Sequence, residues 1–240
     1  MSIAVFLMVL CAAVVHATWN ALVKSDEDRL GLIRVMFLTQ FVFSLSLVPF
    51  VAPPAPESWP YLSASAVLGA AYMVLLNWAY RVGDLSHVYP LARGIAPLIV
   101  AIVSTAFLGE QISEAGTVGV VLIALGIASL ALTRGAAGLR EPRPVYLSFI
   151  AGGFVGAYTI TDALGARSAG SPNAYMVWLT LLYAILVAGC FRLLQRGTRP
   201  SIAAHTRRIG AVAGLMSYGS SWLVIWGADP GTHGSAVGAT

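Results

Sequence analysis

Long apolar runs, not a two-residue alternation, set the hydrophobic pattern of this chain. They lie at about 3–23, 30–51, 60–80, 86–108, 113–132, 145–165, 173–191 and 209–227. Each is long enough to read as a membrane-crossing helix, which needs about 20 apolar residues. The breaks between them are sharp. Lys24-Ser-Asp-Glu-Asp-Arg29 is a charged turn and Ala52-Pro-Pro-Ala-Pro56 a stiff proline loop. Leu108-Gly-Glu-Gln-Ile-Ser113 is a short turn that ends in a helix cap. Residues 133–144 form the longest Gly/Arg/Pro linker, and residues 192–208 a basic loop.

Composition supports the same reading. The 240 residues are 58% hydrophobic and 10% charged, against about 25% charged in a soluble domain. A soluble core of this size has no use for so much apolar surface, whereas membrane spans do. The net charge of +4 comes with one lysine and thirteen arginines, mostly in short loops. Without a basic helix bearing interleaved aromatics, this pattern is an orientation signal and not a nucleic-acid footprint. Loops after the odd-numbered runs hold twelve of the cations and the opposite side holds Arg167 alone, with Arg93 inside a run. The positive-inside rule therefore places the odd loops in the cytoplasm and the N-terminus outside.

Cys11 and Cys190 fall inside apolar runs without zinc spacing and read as small buried hydrophobes. The first run lacks a preceding basic residue and a small-residue cleavage site, so it reads as a retained helix and not a signal peptide. The segment His16-Ala-Thr-Trp-Asn-Ala-Leu-Val23 aligns with Tyr158-Thr-Ile-Thr-Asp-Ala-Leu-Gly165 at an offset of 142 residues. Tyr72 aligns with Tyr218 at an offset of 146. An odd number of runs separates the two copies, which would invert the second copy relative to the first, as in many secondary transporters.

Arg93 is the foremost candidate residue. It lies in Tyr89-Pro-Leu-Ala-Arg-Gly-Ile-Ala-Pro97, and a cation in hydrocarbon costs about 2.5–3.5 kcal/mol even on lenient insertion scales. The flanking prolines predict a local helix break, the build of many substrate sites. Arg93 is either the counter-charge of a carboxylate, phosphate or phosphonate, or a structural partner of Asp162, Glu110 or backbone carbonyls freed by Pro97. Tyr89, one turn earlier on the same face, offers a hydroxyl to the same ligand.

His16, Trp19 and Asn20 share one helix face by their spacing. They form either a pocket wall, with His16 as a proton carrier, or an interhelical hydrogen-bonding pair. Tyr158 and Asp162 hold the corresponding face of the sixth run, where Asp162 is either a coupling carboxylate or merely solvated at the exterior end. Tyr218, Trp222 and Trp226 make a stripe suited to stacking on substrate, to packing or, for Trp226, to interfacial anchoring. Asn77 is a buried amide in need of a partner. Gly116, Gly119 and Gly126 predict close helix packing. Motifs of enzymes and of ATP coupling are absent, and nothing calls for a cofactor or metal.

Residues 81–110, RVGDLSHVYPLARGIAPLIVAIVSTAFLGE, resemble the fourth-span signature of the EamA type in the drug/metabolite transporter superfamily, and HATWNALVK at 16–24 resembles its first span. More loosely, the chain is similar to members associated with phosphonate utilisation. The resemblance covers about residues 3–227. It implies a ten-helix transporter of two inverted five-helix halves, moving small metabolites by alternating access through a cavity between the halves.

On that plan, residues 1–135 form the first repeat, 136–144 a linker, 145–227 a partial second repeat of three helices, and 228–240 a tail too polar to span. The fold class expected is thus all-α: a polytopic membrane protein of eight transmembrane helices, an incomplete version of the 5+5 inverted-repeat design. Truncation or frameshift is the preferred explanation, ahead of a genuine eight-helix variant or assembly with another chain, such as a homodimer. The function expected is secondary transport of a small anionic or zwitterionic metabolite across a bacterial inner membrane. The expected partners are the lipid bilayer and that substrate, not nucleic acid. The alternative is a non-transporting scaffold that needs another chain or the missing helices.

Overall fold

The computed structural model describes residues 3–82, 85–107, 109, 113–133, 142–194 and 201–227. Within these, the side chains at 3–6, 9, 76–82, 85–93, 115, 127–128, 130–133, 142–145, 194 and 226–227 lie outside the description. The described residues form eight α-helices: α1 Ile3–Ser25, α2 Arg29–Leu47, α3 Trp59–Val82, α4 Leu85–Ala106, α5 Glu114–Thr133, α6 Pro142–Ser168, α7 Pro172–Leu194 and α8 Ala204–Gly227. Each coincides with one apolar run. By length and composition, three segments among the described residues are apolar enough to cross a membrane: Arg29–Phe50, Tyr146–Ser168 and Pro172–Leu193. The linker residues 134–141 and the tail 228–240 lie outside the described residues.

Local chemistry explains the helix ends. Asp28 caps α2, its carboxylate accepting the Gly31 N–H at 2.9 Å. The Ser113 hydroxyl caps α5 by accepting the Gly116 N–H at 3.2 Å, as the turn chemistry predicts. Gly170 takes φ +74° in the tight turn between α6 and α7, a conformation that a side chain would strain. Two expectations fail. Pro90 and Pro97 do not break their helix, for α4 runs from Leu85 to Ala106 as one element. Each proline removes a single backbone bond, and the freed carbonyls can be satisfied by local adjustment. Helix α8 starts at Ala204, inside what reads as basic loop, because Ala204-His-Thr-Arg-Arg208 precedes the apolar run without any helix breaker.

Two compact units are present, one drawn from Met1–Ala66 and Asp162–Thr240, the other from Val67–Thr161. In the first, α8 packs against α1 and α2, and α2 against α7. Glycines let α8 approach α2 closely. A Cβ on Gly214 would lie 2.7 Å from the Met36 carbonyl oxygen, and one on Gly210 would lie 2.8 Å from the Val35 Cβ. The Gln40 amide donates to the Gly214 carbonyl at 3.4 Å across the same seam. At one end, the buried Asp26 carboxylate accepts the Asp28 N–H at 2.9 Å and the Thr206 hydroxyl at 3.2 Å, tying the first turn to the start of α8. At the other end, the Ala55 N–H donates to the Ala169 carbonyl at 3.1 Å and docks the proline loop on the α6–α7 turn.

In the second unit, Tyr72, Ala96, Ala151 and Val155 form the buried core, with Tyr158 packed against it. A Cβ on Gly156 would meet Ile99 Cγ2 at 2.8 Å, so α6 approaches α4 through this glycine. The close packing expected at Gly119 and Gly126 is not found, since a Cβ at either would meet nothing within 4 Å. Small residues permit close approach but do not compel it. Gly119→Ala is therefore expected to raise thermal stability slightly, through a helix-propensity gain of up to about 1 kcal/mol. A melting comparison with the parent checks it; a lower midpoint would mean that α5 does pack there. Both cysteines are free, but Cys11 is exposed on α1 and Cys190 only half-buried on α7, where burial is expected of both.

Candidate functional site

The strongest constellation of polar side chains centres on Asp162, in the sixth turn of α6. Its Oδ1 accepts two hydroxyl hydrogen bonds. One comes from Ser65 on α3, in a very short contact, and the other from Tyr175 on α7 at 3.1 Å. Ser65 is buried and Tyr175 has no exposed surface at all. Both donors converge on one oxygen, which leaves Oδ2 outside the pair. The α6–α7 hairpin brings Asp162, seven residues before the turn at 169–171, and Tyr175, four residues after it, close enough for the long tyrosine side chain to reach the carboxylate. Gly165 completes the arrangement. A Cβ there would fall 2.5–2.7 Å from the Tyr175 ring and hydroxyl, so only glycine lets the ring lie flat against α6 with its hydroxyl on the carboxylate.

The surroundings are apolar and aromatic. Tyr175, Leu62, Ala166, Ala169, Met176, Tyr218 and Ile225 form one buried cluster, with Trp222 and Trp178 against it. Tyr218 stacks edge-on to Phe43 at 5.0 Å, and the Trp222 indole N–H donates to the Asn173 side chain at 2.6 Å. A carboxylate in such a setting is costly unless hydroxyl donors, a cation or a proton compensate it. Asp162 is thus not merely solvated at a helix end. It can hold a proton or a small cation on the oxygen that Ser65 and Tyr175 leave open.

The other candidate residues fall in different places. His16, Trp19 and Asn20 do share one face of α1. The His16 and Trp19 rings meet edge to face at 4.8 Å, and the Asn20 amide donates to the His16 carbonyl of its own helix at 2.7 Å. The Trp19 indole nitrogen is buried without a hydrogen-bond partner among the described residues. Tyr158 stacks on Tyr72 at 6.2 Å in the second unit. Asn77, Tyr89 and Arg93 lie on α3 and α4, but their side chains, like those of Glu110 and Trp226, are outside the described residues. Ser65, Tyr175 and Gly165 escape sequence reasoning. The signal that could have found Tyr175 is the short Ala169-Gly170-Ser171 turn, which forces a helical hairpin and pairs residues about the turn.

Helical segments long and apolar enough to cross a membrane are the mark of an integral membrane protein. Residues 3–132 match the model of the EamA-like transporter family. That is more than half of the chain, and the chain belongs to this family. Its members are integral membrane proteins that transport small molecules and are not enzymes. No curated protein and no solved structure matches the chain.

Proposed function

We propose that this chain is a secondary transporter of a small organic anion or zwitterion in a bacterial inner membrane. It works by alternating access, with Arg93 as the substrate's counter-charge and the Ser65–Asp162–Tyr175 cluster as the proton- or cation-binding element that couples transport. The observation that carries the coupling half is the convergence of two hydroxyl donors on one oxygen of a carboxylate within an apolar helix. Such a carboxyl can exist with or without a proton in the same geometry, because the donors need only the acceptor lone pairs of Oδ1. The anionic preference rests on Arg93, the one arginine within the apolar run 86–108. A guanidinium matches carboxylate, phosphate and phosphonate oxygens in bidentate fashion.

The test is uptake by the purified chain in proteoliposomes, over a panel of labelled carboxylates, phosphates and phosphonates. Arg93→Gln is expected to lower transport of the preferred anion at least about tenfold, the equivalent of about 1.4 kcal/mol of lost interaction. Unchanged transport of every anion in the panel would remove the anionic preference.

A further inference from the structure

Away from the Asp162 cluster, a groove of about 530 Å³ runs between α2 and α7. Its walls are apolar, formed by Phe37, Leu38 and Phe41 on one side and Ala184, Ile185 and Ala188 on the other. Leu38 and Ile185 are 62% and 55% exposed at its lips, so the groove opens sideways along the helices. Two cations stand at one end. Arg34 is about 7.5 Å along α2 from its start and Arg192 about 3 Å from the end of α7, at 1.5 Å per residue. The apolar walls extend about 10 Å deeper, to Phe41 and Ile185. No acidic residue lines the groove. Small residues on α7 make the space: Gly189 lines it, and a Cβ there would meet nothing within 4 Å.

We propose that this groove binds one anionic phospholipid, its phosphate held by Arg34 and Arg192 and one acyl chain laid along the apolar walls. The charge pattern selects the occupant. A zwitterionic lipid or a hydrocarbon chain alone would use the walls but not the paired guanidinium groups, and a free anion would use the arginines but not the walls. Paired arginines between helices at the membrane surface are suited to lipid phosphate, and both side chains can engage it in bidentate fashion. Both helix ends carrying them face the cytoplasm on the positive-inside reading of the loops, which puts the lipid in the inner leaflet. Lipid binding needs no transport activity, so its failure and a failure of the proposed function are separable.

The experiment is thermal unfolding of the full chain in nanodiscs of phosphatidylcholine alone or with phosphatidylglycerol. Phosphatidylglycerol is expected to raise the midpoint by about 2–4 °C, the shift that a modest binding energy gives a chain of this size. The Arg34→Gln/Arg192→Gln double variant should lose that increment, read against its own midpoint in phosphatidylcholine. Gly189→Leu, whose Cβ meets nothing within 4 Å and whose longer side chain would occupy the groove, should lose it with both arginines in place. An increment that survives either variant overturns the proposal. So does an equal increment from inorganic phosphate, which would make this a simple anion site. A change of oligomeric state in Gly189→Leu with the increment intact would assign the groove to a second copy of the chain and likewise overturn it.

Discussion

Asp162→Asn is expected to abolish uphill, proton-driven accumulation of substrate while leaving downhill exchange and the fold largely intact. Asparagine keeps the size of the side chain, and its carbonyl oxygen can still accept from Ser65 and Tyr175. It can carry neither a charge nor a titratable proton. A hydrogen bond to a charged group contributes about 1.5–3 kcal/mol and one to a neutral group about 1 kcal/mol, so the stability change should be small beside the loss of coupling. Uptake driven by an imposed pH gradient, compared with counterflow at equal pH, reads the two apart. If gradient-driven uptake survives in the variant, the cluster does not couple transport.

A second variant separates coupling from simple integrity of the site. Gly165→Ala leaves the carboxyl in place but puts a methyl group within 2.5–2.7 Å of the Tyr175 ring. Tyr175 must then move, and the Ser65 bond alone remains. Gradient-driven uptake should fall about tenfold without disappearing. Full activity in Gly165→Ala together with none in Asp162→Asn would make Tyr175 a packing residue and Asp162 the only coupling group.

The largest effect on stability is expected at the α2–α8 seam. In Gly210→Ala/Gly214→Ala, two methyl groups enter space already occupied by the backbone and side chains of α2, at 2.7 Å from the Met36 carbonyl and 2.8 Å from the Val35 Cβ. Backbone cannot swing aside as a flexible side chain does, so the helices must separate, and the Gln40 bond to the Gly214 carbonyl at 3.4 Å is lost with them. Overpacking of this kind costs about 1–3 kcal/mol per site. The midpoint of thermal unfolding should fall by about 4–24 °C for the pair. A midpoint within one degree of the parent would mean that this seam opens freely. The same substitution at Gly119, where a Cβ meets open space, is the matched control.

Helix positions were legible because most apolar runs are bounded by chemistry that stops a helix, the start of α8 being the exception. Ser113 announces the start of α5, and the Lys24–Arg29 turn separates α1 from α2. The run pattern therefore predicts all eight described helices to within a few residues. The candidate site was legible only in part. Asp162 stands out because a carboxylate in an apolar run must be compensated. What compensates it does not stand out, since serines and tyrosines are common in such helices and most only bond their own backbone. Thr159 and Thr161, on the same helix, donate to the carbonyls of Val155 and Ala157 at 2.7 and 2.8 Å. Nothing in their residue types separates them from Ser65.

By itself, then, the sequence determined the number, extent and apolar character of the described helices, and the family to which they belong. The helices follow from composition and short-range spacing along one chain, and the family from the resemblance carried by residues 81–110 and 16–24. Only the tertiary structure decided that Gly210 and Gly214, not Gly119 and Gly126, carry close packing, that α4 passes through its prolines unbroken, and that Ser65 and Tyr175 converge on Asp162. The first and last of those depend on which faces of distant helices meet, and the second on how the backbone of α4 accommodates each proline. Helix periodicity places a residue on a face, but the partner of that face is chosen by the packing of the whole unit.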